Sequence, residues 1–234
     1  MNNTVTGISE KIPARLKDLY SCLFREVCWI RLQWQMYEPL YGHSKERWNL
    51  LNKSAPMFFY MVDYLFIDNF ILALSRLGDP AKQPIKKQFV ENITLELLLL
   101  KLDQMADADL IQKLTPPLAD YRTKCAALRE QRNKRVAHTD YNVKMMPETH
   151  PLPEVSRQLI EEALIAAEDY LNLFENYFSG DDCGVSHNIL SSDTAHTLLD
   201  RLHKAVAYDK LHGEGKIELG YADKLANADP SLRI

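Results

Sequence analysis

Glycine is scarce in this chain, with 8 residues among 234. β-Sandwiches and β-barrels need many tight turns, which glycine favours, so this composition argues against an all-β fold. Leucine, alanine, lysine, glutamate and glutamine, all good helix formers, are plentiful. The composition therefore predicts an all-α protein.

The cysteines are few and follow no known pattern. The four are Cys22, Cys28, Cys125 and Cys183, and no two of them have CxxC spacing. No His/Cys cluster has the spacing of zinc ligands either. Such cysteines are typical of reduced, structural thiols in a cytoplasmic protein. We therefore expect a cytoplasmic protein with no metal site and no cofactor.

The sequence also lacks a clear leader and a clear membrane span. Residues 1–12 are polar and have no signal-peptide apolar core. Polar residues interrupt the most apolar stretch, Met57 to Leu77, at Asp63, Asp68, Asn69 and Arg76. This pattern suits a buried helix better than a membrane span, so we expect no membrane partner.

Apolar residues recur at three- and four-residue steps in several long segments, which is the mark of amphipathic helices. Ser44 and Thr94 are candidate N-caps, and the sequence Gly78-Asp79-Pro80 is a strong helix stop, with glycine as a left-handed cap. The predicted helices run from about Ser9 to Tyr37, Ser44 to Leu77 (with a kink at Pro56), Thr94 onward, Ala108 to His138 (restarted by Pro116-Pro117), and Pro153 or Glu154 to Tyr177.

These segments predict a bundle of four to five long helices over residues 1–178. Residues 81–88 and the segment from Tyr141 to Pro153 are predicted to be irregular connections. Residues 179–234 are predicted to form an appendage, with a helix from about Asp193 to Lys210 and a polar tail from Gly213 to Ile234.

A basic segment interrupts this otherwise acidic chain, whose net charge is −4. Between Arg122 and Arg135 there are six basic residues and one acid, Glu130. Such a run is often a solvated helix face, but local positive charge also attracts phosphate ligands. The segment continues through Arg132-Asn133-Lys134-Arg135-Val136-Ala137-His138-Thr139-Asp140.

Arg132 and His138 together have the chemistry that cleaves a phosphodiester. An arginine holds a phosphate through a planar fork of donors, and a histidine transfers protons near neutral pH. Asn133 would orient His138 or donate to a phosphate oxygen. Basic neighbours at Arg129, Lys134 and Arg135 would follow an RNA backbone. Alternatively, His138 is a helix C-cap and Asp140 is an ordinary turn residue.

The spacing of the two residues predicts a composite site. At ~100° per residue, Arg132 and His138 lie ~120° apart on a straight helix. To share one phosphate, the helix must end between them or a second chain must supply one of them. We therefore expect a homodimer.

The motif Arg132-Asn133, followed by four further residues and then His138, resembles the central motif of the HEPN superfamily. The order of the helices is also similar, and several features resemble the abortive-infection U-type branch. These are Leu74 to Pro80, the pair Phe58-Phe59, and Trp29 and Trp34. The resemblance covers about residues 9–178. Where members of one HEPN subgroup have a tyrosine two residues after the histidine, this chain has Asp140.

The resemblance implies a metal-independent endoribonuclease that acts as a homodimer, with RNA as its substrate. It also implies a toxin or phage-defence role, with a cognate antitoxin protein as a further partner. Arg132, Asn133 and His138 would be its catalytic residues. Arg76, Asp79 and Asp140, with Asp68, are candidates for holding Arg132, although Arg76 and Asp79 can equally cap their own helix.

Two other interpretations remain open at this point. The chain can be a non-catalytic HEPN module that binds nucleotide, RNA or a protein partner. It can also be a structural helical bundle in which the motif is accidental.

Overall fold

The structure is a computed structural model that describes residues 8–42, 44–85, 88–105, 107–180, 194–217 and 220. Within these ranges it contains nine α-helices, one π-helical turn and one β-hairpin. In chain order they are α1 (Ala14–Tyr41), α2 (Lys45–Ser54), α3 (Pro56–Leu77), β1 (Lys82–Ile85), β2 (Gln88–Glu91), α4 (Leu95–Asp103), α5 (Ala108–Lys124), α6 (Ala126–Gln131), the π turn (Arg132–Val136), α7 (Tyr141–Met145), α8 (Arg157–Ser179) and α9 (Ala195–Gly213). The predicted all-α class is confirmed.

The chain divides into two compact units, and the larger unit carries the basic segment. Its described residues are 8–34 and 64–180. Helix α5 packs along α8 and against α4. The Tyr20 ring of α1 stacks on Phe174 of α8 with centroids 5.0 Å apart, and its hydroxyl donates to Glu175 at 2.8 Å. Tyr121 of α5 donates its buried hydroxyl to a carbonyl oxygen of α3.

The described residues of the second unit are 35–42, 44–63, 194–217 and 220. Helix α2 packs against α9 within it. Tyr37 and Tyr41 stack with ring centroids 5.0 Å apart, and the Tyr41 hydroxyl donates to the carbonyl oxygen of Phe59 at 2.9 Å. The boundary after residue 178 that the sequence predicts stays a prediction. Most of the predicted tail from Gly213 to Ile234 lies outside the described residues, and so does Cys183.

Several predicted helix ends are confirmed by their caps. Ser44 accepts a hydrogen bond from the Arg47 N–H, and Thr94 accepts one from the Leu97 N–H. Helix α8 begins at Arg157, three or four residues later than the predicted start at Glu154 or Pro153, and Ser156 accepts a hydrogen bond from the Leu159 N–H. These polar caps satisfy backbone donors that the first turn of a helix leaves free.

The prolines are placed differently from the prediction. Pro116 and Pro117 lie inside α5 and restart nothing, and Pro39 lies inside α1, which continues to Tyr41. A proline inside a helix costs ~3 kcal/mol. Around Pro116 and Pro117, a stripe of buried side chains continues on both sides and offsets this cost. The stripe consists of Leu110, Leu114, Leu118 and Tyr121.

Ala55, rather than a kink at Pro56, divides the predicted second helix. Its φ of −159° and ψ of 78° are not helical, so α2 ends at Ser54 and α3 begins with Pro56 as its first residue. This is the helical position that proline favours, because the missing N–H has no partner there in any case.

Two predicted irregular segments contain regular structure. Strands β1 and β2 form an antiparallel hairpin in which Lys82 pairs with Glu91 and Gln83 with Val90. The strand residues of β2 are all exposed, so no alternation of apolar residues marked them. The segment after Asp140 contains the short helix α7.

Helix α3 is only half buried, so the prediction of a buried helix is wrong for its first part. Met57, Phe58 and Met61 are exposed, whereas Phe70 and Leu74 are fully buried. Among the described residues, α3 is the one helix whose length and composition would allow it to cross a membrane. Of its most apolar 18-residue stretch, 28% is buried.

The end of α3 depends on a close approach. A Cβ atom at Gly78 would lie 3.2 Å from the Tyr121 ring. The left-handed conformation predicted for this glycine is not observed, since positive φ angles among the described glycines occur at Gly180, Gly215 and Gly220. The small size of Gly78, rather than its backbone freedom, lets the chain turn against α5.

Candidate functional site

The basic segment leaves α-helical geometry where the candidate motif begins. Regular helix ends at Gln131, and the Ala137 N–H then donates to the Arg132 carbonyl oxygen at 2.8 Å, five residues back. The Asp140 N–H reaches the carbonyl oxygen of Lys134 at 3.0 Å, and the Asp140 side chain caps α7. No residue of the π turn is buried, so packing does not enforce a regular helix there. Single π turns are frequent at functional sites.

Arg132 is held at this turn by two side chains. Its Nη1 donates to Asp79 Oδ2 at 2.6 Å, and its Nε donates to Asn133 Oδ1 at 3.0 Å. The side chains of Arg132 and Asp79 are each 14% exposed. No hydrogen bond from Nη2 to another described residue is present, so this nitrogen can donate to a ligand.

Asp79 is shared between two arginines. Its other oxygen, Oδ1, lies 3.3 Å from Arg129 Nη2. This contact is close enough for an ion pair but lacks hydrogen-bond geometry, and Oδ1 is buried without a hydrogen bond. One carboxylate therefore faces two guanidinium groups, which leaves an excess of one positive charge around it.

His138 lies just beyond the π turn and is exposed. Among the described residues, no hydrogen bond or ion pair to its imidazole is present, and none joins it to Arg132. Asn133 contacts Arg132 rather than His138. The helix does end between Arg132 and His138, as the angular argument required, and no hydrogen bond within the described part of the chain joins their side chains.

Arg135 is fixed by three neighbours. Its Nη2 donates to Asp68 Oδ1 at 2.7 Å, its Nε to Gln131 Oε1 at 2.7 Å, and its Nη1 to the Tyr64 hydroxyl at 3.0 Å. The guanidinium carbon also lies 5.6 Å from the centroid of the Tyr64 ring. An RNA phosphate would have to compete with these contacts, and the RNA-binding role of Arg135 stays a prediction.

The basic segment as a whole is largely neutralised. The ion pairs are Arg122–Glu96, Lys124–Asp120, Arg129–Asp79, Arg132–Asp79, Lys134–Glu130 and Arg135–Asp68. The hydrogen bond that Lys134 donates to Glu130, together with the charge of Glu130, raises the pKa of Lys134. Three of the five carboxylates, Asp68, Asp79 and Glu96, lie far from the segment in sequence, so no local pattern revealed them.

The side chains predicted to hold Arg132 separate into different roles. Asp79 reaches Arg132, whereas Arg76 pairs with Glu26 at 2.6 Å and Asp140 caps α7. Tyr64 and Gln131 contact Arg135 but had no sequence signal. In the part of the chain that the structure describes, no three His, Cys, Asp or Glu side chains are grouped to hold a metal ion.

Two clefts flank the π turn, and Lys134 lines both of them. The first, which we call the Arg129 cleft, has a volume of about 390 Å³ and is lined by Arg122, Ala126, Arg129, Glu130, Asn133 and Lys134. The second, the Tyr64 cleft, has a volume of about 450 Å³ and is lined by Tyr64, Lys134, Arg135, Thr139, Asp140, Val143, Lys144 and Pro147. Residues of the π turn therefore line both clefts.

Comparison with known proteins identifies the family. No curated protein and no solved structure matches the chain. The family model of the HEPN group described as AbiU2 matches residues 14–206, which include α1 through most of α9. The match spans most of the chain and contains both Arg132 and His138. The chain therefore belongs to the AbiU2 family of HEPN proteins.

Proposed function

We propose that this protein is a metal-independent endoribonuclease in which Arg132 and His138 act on the scissile phosphate. The observation that carries the proposal is the state of Arg132. Asp79 and Asn133 hold its Nη1 and Nε, while Nη2 makes no hydrogen bond to a described residue. An arginine held in this way keeps a donor for phosphate without having to be ordered first.

RNA supplies its own nucleophile, so the protein needs to move protons and stabilise charge. The 2′-oxygen attacks phosphorus, the bond to the 5′-oxygen breaks, and a 2′,3′-cyclic phosphate and a 5′-hydroxyl are formed. His138 accepts the 2′-hydroxyl proton or donates a proton to the leaving 5′-oxygen. Arg132 stabilises the negative charge that develops on the phosphate oxygens.

The reaction favours two copies of the chain. One imidazole can act as base or acid, and no hydrogen bond joins His138 to Arg132 within the described part of the chain. In a homodimer, one His138 would accept the proton while the other donates one. Sedimentation at micromolar concentration tests this: a monomer that does not dimerise even with RNA present contradicts the composite site.

The decisive experiment measures cleavage of a labelled RNA by the full chain in EDTA, with analysis of the product ends. We expect cleavage that survives chelation and leaves a cyclic phosphate. His138→Ala and Arg132→Ala should each lower the rate ~10²- to 10⁴-fold. Arg132→Lys should restore little activity, because a point charge lacks the fork of donors.

Matched controls separate chemistry from general damage. Arg76→Ala removes an exposed arginine that pairs with Glu26, and His150→Ala removes another exposed histidine. Both variants should cleave at the wild-type rate. Lys134→Ala should mainly weaken RNA binding. Loss of cleavage in EDTA with recovery in Mg²⁺, or full activity of both motif variants, contradicts the mechanism.

A second candidate function is RNA or nucleotide binding without cleavage, or binding of a protein partner. The observation that favours it is the neutralisation of the basic segment, since carboxylates occupy the cations that a nuclease would use. A protein that binds RNA, releases it uncut and loses no function in His138→Ala would be such a module.

The family membership supports a biological setting for the proposed nuclease. We propose that the protein acts in the cytoplasm as a toxin or phage-defence effector, restrained by an antitoxin protein. Expression of wild-type and His138→Ala chains in cells separates the two functions: growth arrest by the wild-type chain alone supports the toxin, and arrest by both contradicts a role for cleavage.

A further inference from the structure

The Tyr64 cleft has an open aromatic ring at its edge. Tyr64 is 51% exposed, although it is one of the side chains that Arg135 holds. The ring is anchored at its hydroxyl, where Arg135 Nη1 donates at 3.0 Å, and by the guanidinium carbon 5.6 Å from the ring centroid. Because Asp68 and Gln131 fix Arg135, the Tyr64 ring is held in place with the guanidinium over one face, while much of the residue stays exposed.

Lys144 supplies an available cation in the same cleft. It is exposed on α7, and no ion pair or side-chain hydrogen bond to another described residue engages its ammonium group. The other two cations in the cleft, Lys134 and Arg135, pair with Glu130 and Asp68. A phosphate would therefore displace no carboxylate at Lys144.

The acidic group in the cleft is already engaged. The Asp140 carboxylate accepts the Val143 N–H at 3.1 Å as the N-cap of α7. The lining thus carries three cations and one carboxylate, and since Glu130 and Asp68 pair with Lys134 and Arg135, Lys144 is the lining cation without an ion pair to a described residue. An aromatic ring beside an unpaired cation is the combination that binds a base and its phosphate in single-stranded nucleic acid.

We propose that the Tyr64 cleft binds one nucleotide of single-stranded RNA, with the base stacked on Tyr64 and its phosphate on Lys144. The proposal takes RNA as the ligand from the proposed function. It deepens that function, because Lys134 and Arg135 belong both to this cleft and to the π turn that carries Arg132. The cleft would therefore place the nucleotide next to the one that is cut.

The test measures equilibrium binding of fluorescent 2′-O-methyl RNA to the full chain by anisotropy. This RNA has no 2′-hydroxyl nucleophile, so binding is measured whether or not the protein cleaves. Tyr64→Leu should weaken binding about tenfold, within the range that one stacking platform contributes. Tyr64→Phe keeps the ring and should bind nearly as wild type.

Lys144 is tested by salt dependence. Lys144→Gln should weaken binding and lower the slope of log K against log salt by about 0.7, the value for one phosphate contact on a single strand. The matched controls are Tyr60→Leu, an exposed tyrosine one turn earlier on α3, and Lys53→Gln, an exposed lysine on α2. Both controls should bind as wild type.

The duplex of the same RNA distinguishes stacking from charge. Its bases are already stacked, so Tyr64→Leu should change duplex binding little, whereas Lys144→Gln should weaken both forms. Unchanged single-strand binding in Tyr64→Leu, or an equal loss on duplex and single strand, overturns the proposal. Absence of any binding by the wild-type chain, or binding of a protein partner alone, overturns it as well.

The result is independent of the nuclease activity. If Tyr64 and Lys144 control binding but RNA is never cut, the nucleotide site stands and the proposed catalysis fails. If RNA is cut through Arg132 and His138 while Tyr64→Leu binds as wild type, the reverse holds. Thermal unfolding of each variant excludes loss of folding as the cause.

Discussion

Two arginine–carboxylate pairs in the larger unit are similarly buried but differently built. Arg31 uses Nε and Nη2 to donate to both oxygens of Glu168, at 2.6 and 2.5 Å. Arg132 uses one nitrogen on one oxygen of Asp79. The side chains of the first pair are 12% and 6% exposed, and those of the second are 14% and 14% exposed.

The difference between the two pairs lies in their hydrogen-bond geometry rather than in their burial. The pair between Arg31 of α1 and Glu168 of α8 is closed, since the guanidinium donates to both carboxylate oxygens and the two charges cancel. At Asp79, one carboxylate serves two guanidinium groups, and Arg132 keeps Nη2 for another acceptor. The first pair holds helices together, whereas the second holds a donor in position.

The largest expected effect comes from breaking the closed pair. Glu168→Ala leaves Arg31 buried without its carboxylate, which should lower the free energy of unfolding by about 3–5 kcal/mol. Urea unfolding followed by circular dichroism measures this. The control is Glu26→Ala, whose partner Arg76 is exposed and whose ion pair is worth at most ~1 kcal/mol. Equal losses in the two variants would show that the closed pair has no structural role.

The second prediction concerns the open pair. Asp79→Asn keeps an acceptor for Arg132 but removes the charge that attracts two arginines. The turnover rate on RNA should fall about 10²-fold because Arg132 loses its fixed position. RNA binding should at the same time grow tighter and more dependent on salt, since two cations become available to phosphate.

If Asp79 had only a structural role, its replacement would not lower the cleavage rate and tighten RNA binding at the same time. Anisotropy with 2′-O-methyl RNA gives the affinity, and single-turnover cleavage gives the rate. If both fall together with the unfolding temperature, Asp79 only stabilises the fold and does not position Arg132.

The smallest expected effect tests how the closed pair influences its surroundings. Burial, followed by the negative charge of Glu168, raises the pKa of Cys28 from 9.0 to about 12. Burial likewise raises the pKa of Cys125 to about 11. Both residues should remain thiols at pH 8 and react slowly with a thiolate-specific reagent until the protein is unfolded. Mass spectrometry of the labelled chain identifies the sites.

The raised pKa of Cys28 also predicts the direction in which stability changes with pH. The unfolded chain loses the Cys28 proton near pH 9 while the folded chain keeps it to about pH 12. The contribution of Cys28 to stability is therefore complete below pH 9 and is lost as the pH rises above it. Wild-type stability should fall more between pH 8 and 10 than that of Cys28→Ala. Equal slopes contradict the assigned burial.

Much of the fold could be predicted because short-range sequence features, such as helix caps and apolar spacing, specify its helices. Ser44 and Thr94 cap helices through their own side chains, and the apolar stripes of α5 and α8 can be read from spacing alone. Pro116 was misleading because its local cost is offset by packing against other helices. The hairpin was missed because its strand β2 has no buried face.

The candidate site was less predictable for a different reason. Arg132 and His138 lie six residues apart and were found as a motif, but what each can do depends on distant partners. Asp79 lies 53 residues before Arg132, and Asp68 lies 67 residues before Arg135. A single sequence shows six basic residues between Arg122 and Arg135 but cannot show that Asp68 and Asp79 pair with three of them.

The close approach at Gly78 has a consequence for Arg132. Gly78 precedes Asp79 and its carbonyl oxygen accepts a hydrogen bond from Arg122 Nε at 3.2 Å. A methyl group at Gly78 would make an unusually tight contact of 3.2 Å with the Tyr121 ring. Tyr121 cannot readily retreat, since its buried hydroxyl is bonded to the Leu74 carbonyl oxygen. A methyl group there would require Tyr121 or the chain at Gly78 to shift by a few tenths of an ångström, directly before the carboxylate that holds Arg132. The position of the Arg132 guanidinium, 54 residues later in the chain, thus depends on the absence of a side chain at Gly78.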